Sequence, residues 1–205
     1  MMSSGNALVY CGLVQPKRND FMSEIDSATR MQTQNELLIA VDSQDQVLHS
    51  IGKVSAHQGS GTLHRAFTIF LKNSKNEWLI TQRSQTKPLW PLWWDGACSS
   101  HPWYPNETVL EAVFRRVPFE LGIDAEKAKN IREIHSYEYH AVYSPEWSEN
   151  EVNHILVGEY DEDPTPNPSE IADYQWLASR QIKKLLEDPR FFAPWVKQAW
   201  DGLIE

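Results

Sequence analysis

Three histidines and a Glu-Asn-Glu triplet carry the clearest chemistry in this chain. His57, His64 and His101 precede Glu149 and Glu151. Imidazole nitrogens combined with carboxylate oxygens suit Mn²⁺, Fe²⁺, Zn²⁺ and, in part, Mg²⁺, and three nitrogens with two oxygens and an open position favour an octahedral ion. Glu149 and Glu151 are two apart, so on a strand both carboxylates point to one face and Asn150 to the other. Each residue also has a plainer reading. A lone histidine is commonly a surface or hydrogen-bonded one, and an exposed Glu-x-Glu is commonly a solvated face. Spacing alone leaves both readings open.

The elements that must position these groups are legible in outline. Residues 37–41 form an apolar run, Asp42 to Asp45 a turn, and Val47-Leu48 resume the strand. Residues 66–71 and 78–82, joined by a polar turn at 73–76, spell a hairpin. Residues 108–121 read as a helix with Val109, Ala112, Val113 and Phe114 on its apolar face and Gly122 as its stop. Pro118 within it removes a hydrogen bond and costs about 3 kcal/mol unless a kink absorbs it. Further strands are expected at 134–142 and 152–157, then a Pro-rich loop at 161–169, and helices at 180–186 and 194–203. Strands, one central helix, more strands and closing helices describe an α+β fold, an α/β/α sandwich. Residues 1–33 are expected to form a poorly ordered extension and residues 34–205 one domain.

Composition narrows the partners. The chain has 205 residues, with 19 Lys and Arg against 28 Asp and Glu, for a net charge of -9. That balance argues against a nucleic-acid partner, although a few local cations can still hold an anionic substrate. Two cysteines, Cys11 and Cys98, make no disulfide framework. No apolar run reaches membrane-spanning length, and Lys17-Arg18 follow rather than precede the apolar stretch at 8–14, unlike a secretory signal. A monomer in the cytoplasm is the expectation. Of nine tryptophans, three crowd into Leu89-Trp90-Pro91-Leu92-Trp93-Trp94. Tryptophans mostly fill cores, but beside metal ligands they can wall a dry pocket and attract a cation.

Taken in order, Ala56-His57, Leu63-His64-Arg65-Ala66-Phe67, Ser100-His101-Pro102 and Glu149-Asn150-Glu151-Val152 resemble the type 1 isopentenyl-diphosphate isomerases, enzymes of Nudix-like fold with a mixed sheet. The resemblance runs from about Gln34 to the C-terminus. It implies a metal enzyme of isoprenoid biosynthesis that interconverts the two five-carbon prenyl diphosphates. It implies that His57, His64, His101, Glu149 and Glu151 ligate one divalent ion (Mn²⁺, Mg²⁺ or Zn²⁺), and that Lys53, Arg83, Lys87 and Arg116 grip the diphosphate. It further implies that Glu120 helps hold a second ion, Mg²⁺, bridged by the diphosphate. Arg116 and Glu120 are also helical neighbours, for which an ordinary surface ion pair is the plain alternative.

For the reaction, the resemblance assigns proton transfer to Glu151 with Tyr139, and places Trp195 against the carbocation. Ser99 stands where the family carries its catalytic cysteine. A thiol with a pKa of about 8.5 exchanges protons near neutrality, whereas an alcohol needs another group to activate it. Cys98 is adjacent, but neighbours in an extended chain point in opposite directions, and a buried free cysteine is its expected role. Three readings follow: an isomerase that works with serine, a relative that protonates a longer prenyl substrate and cyclises or rearranges it, or a binder of prenyl diphosphates. A fainter resemblance to Nudix hydrolases, on Glu107, Arg115, Glu120 and Gly122, lacks two signature glutamates, at Arg116 and Phe119. Nucleotide-diphosphate hydrolysis is therefore disfavoured.

Overall fold

The computed structural model describes residues 36–203, and both the expected extension at 1–33 and Cys11 lie outside the described residues. In chain order come β1 (Leu37–Val41), β2 (Val47–Gly52), α1 (Lys53–His57), β3 (His64–Lys72) and β4 (Glu77–Arg83). Next come β5 (Trp94–Asp95), β6 (Cys98–Ser100), α2 (Val109–Leu121), β7 (Lys129–Ser144) and β8 (Trp147–Glu159). β9 (Ile171–Ala178), α3 (Ser179–Leu185) and α4 (Pro194–Leu203) complete the order.

β3 is the hub of a mixed sheet. It pairs antiparallel with β1, β4 and β6, and parallel with β8 from His64–Glu151 to Lys72–Glu159. Its alternation feeds two buried layers. Phe67, Ile69 and Leu71 pack with Ala112, Val113, Val117 and Leu121 of α2. Phe70 packs with Trp195, Val196, Ala199 and Trp200 of α4. A helix on each face of the sheet gives the α/β/α sandwich, and each such side chain fully buried contributes about 1.5–3 kcal/mol.

α2 starts with a capping box, Glu111 N–H donating to Thr108 Oγ1 (3.2 Å) and Thr108 N–H to the Glu111 carboxylate (2.8 Å). It ends at Gly122, whose φ of 62° only glycine adopts freely. A Cβ there would stand 2.1 Å from the Thr165 carbonyl, so the loop after β8 closes directly under the helix end. The helix runs unbroken through Pro118.

Two expectations need correction. Phe114 does not belong to the apolar face of α2, because it lies about 100° round the helix from Val113 and is 43% exposed. The strands expected at 134–142 and 152–157 are longer, at Lys129–Ser144 and Trp147–Glu159. The added part of β7 is largely exposed and shows no apolar alternation, but its register with β8 holds it in the sheet. Among the described residues no helix is long and apolar enough to cross a membrane.

Candidate metal centre and active site

Sheet register assembles the His–Glu cluster. His64 at the start of β3 lies opposite Glu151 on parallel β8, and Tyr139 of β7 lies opposite Glu151 from the other side. Glu149 and Glu151 share a face, as period-2 geometry requires. α1 delivers His57 and the turn after β6 delivers His101. One donor atom from each of the five residues lies within 4.8 Å of all the others, and the three imidazole centroids are 4.8 to 5.3 Å apart.

The outward nitrogens are fixed by backbone. His57 Nδ1–H donates to the Lys53 carbonyl (2.6 Å) and His64 Nδ1–H to the Thr62 carbonyl (2.7 Å). A carbonyl only accepts, so these bonds assign the tautomer and turn each Nε2 inward. His64 Nε2 and Glu149 Oε2 are buried without a well-formed hydrogen bond; their nearest charge contacts are Glu151 Oε1, 3.6 Å from His64 Nε2, and His57 Nε2, 2.9 Å from Glu149 Oε2. Buried polar atoms left unpaired cost about 1–3 kcal/mol each, and a cation among them removes that cost. Glu151 is fully engaged, accepting from His101 Nε2 at 2.8 Å and from the Tyr139 hydroxyl at 2.5 Å.

The electrostatics of the cluster point the same way. Burial works against the His57 imidazolium, yet Glu149 lifts its pKa to about 9. Burial pulls His101 down to about 3 against the pull of Glu151. Burial would raise Glu151, but His101 and His64 hold it well below the usual carboxylate range. Burial, reinforced by Glu151, pushes Tyr139 well above the usual phenol range. These donors ask for positive charge at their centre, so the residues present fit a divalent ion.

A cavity of about 540 Å³ opens beside this cluster, and Lys53, Arg83, Lys87 and Arg116 line it together with Ser99 and Trp195. Each cation already has a partner. Lys53 meets Glu36 at 2.7 Å, Lys87 meets Glu170, and Arg116 meets Glu120 at 2.6 Å and Glu170 at 3.2 Å. Glu120 is 3% exposed and its Oε1 accepts two Arg116 N–H groups. Arg83 differs from the other three. Its guanidinium donates to the Leu89 and Trp90 carbonyls, reaches Asp95 Oδ2 at 3.4 Å and lies 5.2 Å over the Trp195 ring. Its fork therefore organises the 89–95 segment as well as facing the cavity.

The wall away from the metal cluster is the β5–β6 segment, whose strands pair with β4 and β3 respectively. Ser99 lies opposite Thr68 of β3, facing the cavity, while Cys98 packs in the core on the α2 side. Burial pushes the Cys98 thiol well above its usual range. The Ser99 hydroxyl donates to Asp95 Oδ1 at 2.8 Å and lies 2.9 Å from Thr68 Oγ1. Trp195 joins the two walls: its Nε1 donates to Asp95 (2.9 Å), and its ring lies 6.0 Å from that of Tyr139.

The NUDIX domain profile matches residues 62–198 of the chain. Isopentenyl-diphosphate Delta-isomerase 1 of Photorhabdus laumondii is 34% identical over 171 residues, covering 83% of this chain and 96% of its own length. Isopentenyl-diphosphate Delta-isomerase of Haloarcula marismortui is 33% identical over 168 residues, covering 79% and 88%. The chain belongs to the isopentenyl-diphosphate Delta-isomerase family. Among solved structures, DR0079 from Deinococcus radiodurans superposes with a TM-score of 0.64 at 21% identity, covering 80% of this chain and 97% of that one. That likeness shows the fold alone.

Ser99 and the carboxylate Asp95 stand together on the β5–β6 wall. Sequence reading missed Asp95, Thr68 and Glu170. Asp95 and Ser99 are joined across the short β5–β6 connection, which passes through Gly96, where a Cβ would meet Thr68 Cγ2 at 2.8 Å. The available signals were that glycine and the short Asp-to-Ser spacing. Glu170 sits at the end of the Pro-rich loop and gave no signal.

Proposed function

We propose that this chain is a divalent-metal-dependent isomerase that converts isopentenyl diphosphate into dimethylallyl diphosphate. The observation that carries the reading is one cavity with three kinds of wall. These are the His57/His64/His101/Glu149/Glu151 cluster with Tyr139, the Ser99 hydroxyl, and the Lys53, Lys87, Arg83 and Arg116 cations. In this reading the five-residue cluster would hold one divalent ion (Mn²⁺, Mg²⁺ or Zn²⁺), and Glu120 would help hold a second, Mg²⁺, with the diphosphate. Bound there, the metals supply the positive charge that the buried carboxylates and the diphosphate require.

The residues then divide the work. Lys53, Lys87 and Arg116 exchange carboxylate partners for phosphate oxygens and fix the substrate's polar end. Glu151 and Tyr139, joined by a hydrogen bond, form the face that protonates the terminal alkene carbon. The tertiary cation rests against Trp195, an interaction of about 2 kcal/mol when desolvated. Ser99 borders the face that removes a proton from the neighbouring carbon. Residues 34–205 act as the working unit, a monomer in the cytoplasm.

The test is incubation with isopentenyl diphosphate and Mg²⁺ plus Mn²⁺ in heavy water. Dimethylallyl diphosphate carrying deuterium supports the reading. Cyclic products from longer prenyl diphosphates, with none from isopentenyl diphosphate, would replace it with a cyclase.

A further inference from the structure

Resting on the isomerase reading, we propose that Asp95 is a positioning residue that makes the Ser99 hydroxyl the proton acceptor in the thiol's place. A hydroxyl has one proton and two lone pairs. Ser99 gives that proton to Asp95 Oδ1 at 2.8 Å, so in the 2.9 Å contact with Thr68 it must accept. Thr68 in turn accepts from Asn153 Nδ2 at 3.2 Å. The chain Asn153, Thr68, Ser99, Asp95 therefore runs in one direction and ends on a carboxylate. One Ser99 lone pair remains, and Ser99 lines the cavity.

The carboxylate is itself held rigidly. Asp95 is 3% exposed, and Oδ1 also accepts from Gly96 N–H (2.7 Å) and Trp195 Nε1 (2.9 Å), with Arg83 Nη1 3.4 Å from Oδ2. A hydroxyl bonded to a fixed base is the arrangement that activates an otherwise weak group. In the step, the C–H bond beside the cationic carbon breaks and its electron pair closes the new C=C bond. The proton passes to Ser99 Oγ as the Ser99 O–H proton passes to Asp95 Oδ1. Asp95 ends neutral, and its proton returns through Ser99 to water once the product leaves.

A thiol needs no such partner, which sets the test. Isomerisation kinetics are measured for the full chain and for Asp95→Asn, each with Ser99 intact and with Ser99→Cys. With serine, Asp95→Asn is expected to lower kcat about a hundredfold, within the usual span of acid–base contributions, with KM nearly unchanged. With cysteine, the same substitution is expected to cost about threefold or less, a non-additivity that contacting residues show. Equal losses in both backgrounds, or a loss confined to KM, would make Asp95 merely structural and overturn the inference. If Asp95→Asn does not fold, Thr68→Val makes the same comparison, because it removes the donor that orients Ser99, and equal losses there overturn the inference as well. Silence of both unsubstituted backgrounds would overturn the isomerase reading and this inference with it.

Discussion

At the His–Glu end of the cavity, buried polar atoms lack well-formed hydrogen bonds, whereas at the Lys–Arg end every cation already meets a carboxylate or a carbonyl. The first end gains by receiving a ligand. The second must trade one set of charge contacts for another. The difference teaches where affinity and where exchange reside. Under the proposed function, a metal would bind tightly because His64 Nε2 has no hydrogen bond to give up, while a diphosphate would displace Glu36 and Glu170 and so could leave again after reaction.

The sharpest way to break this comparison is at the centre of the first end. Glu151→Gln removes a ligand and a proton carrier together, and isomerisation is expected to fall at least about a thousandfold. Retention of a tenth of the activity would remove Glu151 from the reaction. His64→Ala is expected to abolish stoichiometric divalent metal in elemental analysis. In the intact protein, saturating Mn²⁺ at a hundredfold excess over its dissociation constant is worth about 2.7 kcal/mol, or about 5–10 °C in Tm for a chain of this size. No thermal shift, or the same shift in His64→Ala, would empty the first end of its proposed role.

At the second end the effects are smaller and opposite in sign. Arg116→Ala is expected to weaken prenyl-diphosphate binding about tenfold, the worth of one charge-assisted hydrogen bond. Glu170→Gln should instead tighten it, about threefold, by releasing Lys87 from a competing pair. Calorimetric titration reads both, and weaker binding in Glu170→Gln would show that Glu170 orders the cations rather than competing with the substrate.

The smallest effect is on stability against pH. Burial would raise the Glu170 carboxyl, but Lys87 and Arg116 hold it down to about 2 from an ordinary 4.5. A depressed folded pKa contributes stability above the unfolded value and loses it as pH falls through the folded one. Glu170→Gln is therefore expected to be less stable than the parent at pH 6, the gap closing between pH 4.5 and 2 in urea titrations. A gap that persists at pH 2 would have another source.

How much was legible from sequence follows from which residues depend on their neighbours in the chain. Period-2 alternation placed Glu149 and Glu151 on one face, and opposite orientation separated Cys98 from Ser99, because strand geometry alone decides both. The sandwich was readable from the order of elements. Phe114 was misplaced because a helix's apolar stripe drifts, and one residue at its margin can fall to either side. The ends of β7 were invisible because their polar residues join the sheet through backbone alone. Asp95 meets Ser99 four residues on, whereas Glu170 meets Lys87 and Arg116 only once the fold brings distant segments together. No local pattern encodes the Glu170 contacts, and for Asp95 only the glycine and the short spacing to Ser99 gave a sign.

The register of β8 has one more consequence. Glu149 and Glu151 alternate with Asn150, so a slip of one residue against β3 or β7 would turn both glutamates away from His64 and Tyr139. Parallel pairing of segments so distant in the chain closes slowly during folding. Under the proposed ligation, an ion would therefore read the register: only chains that have chosen the right alignment would present all five donors to it.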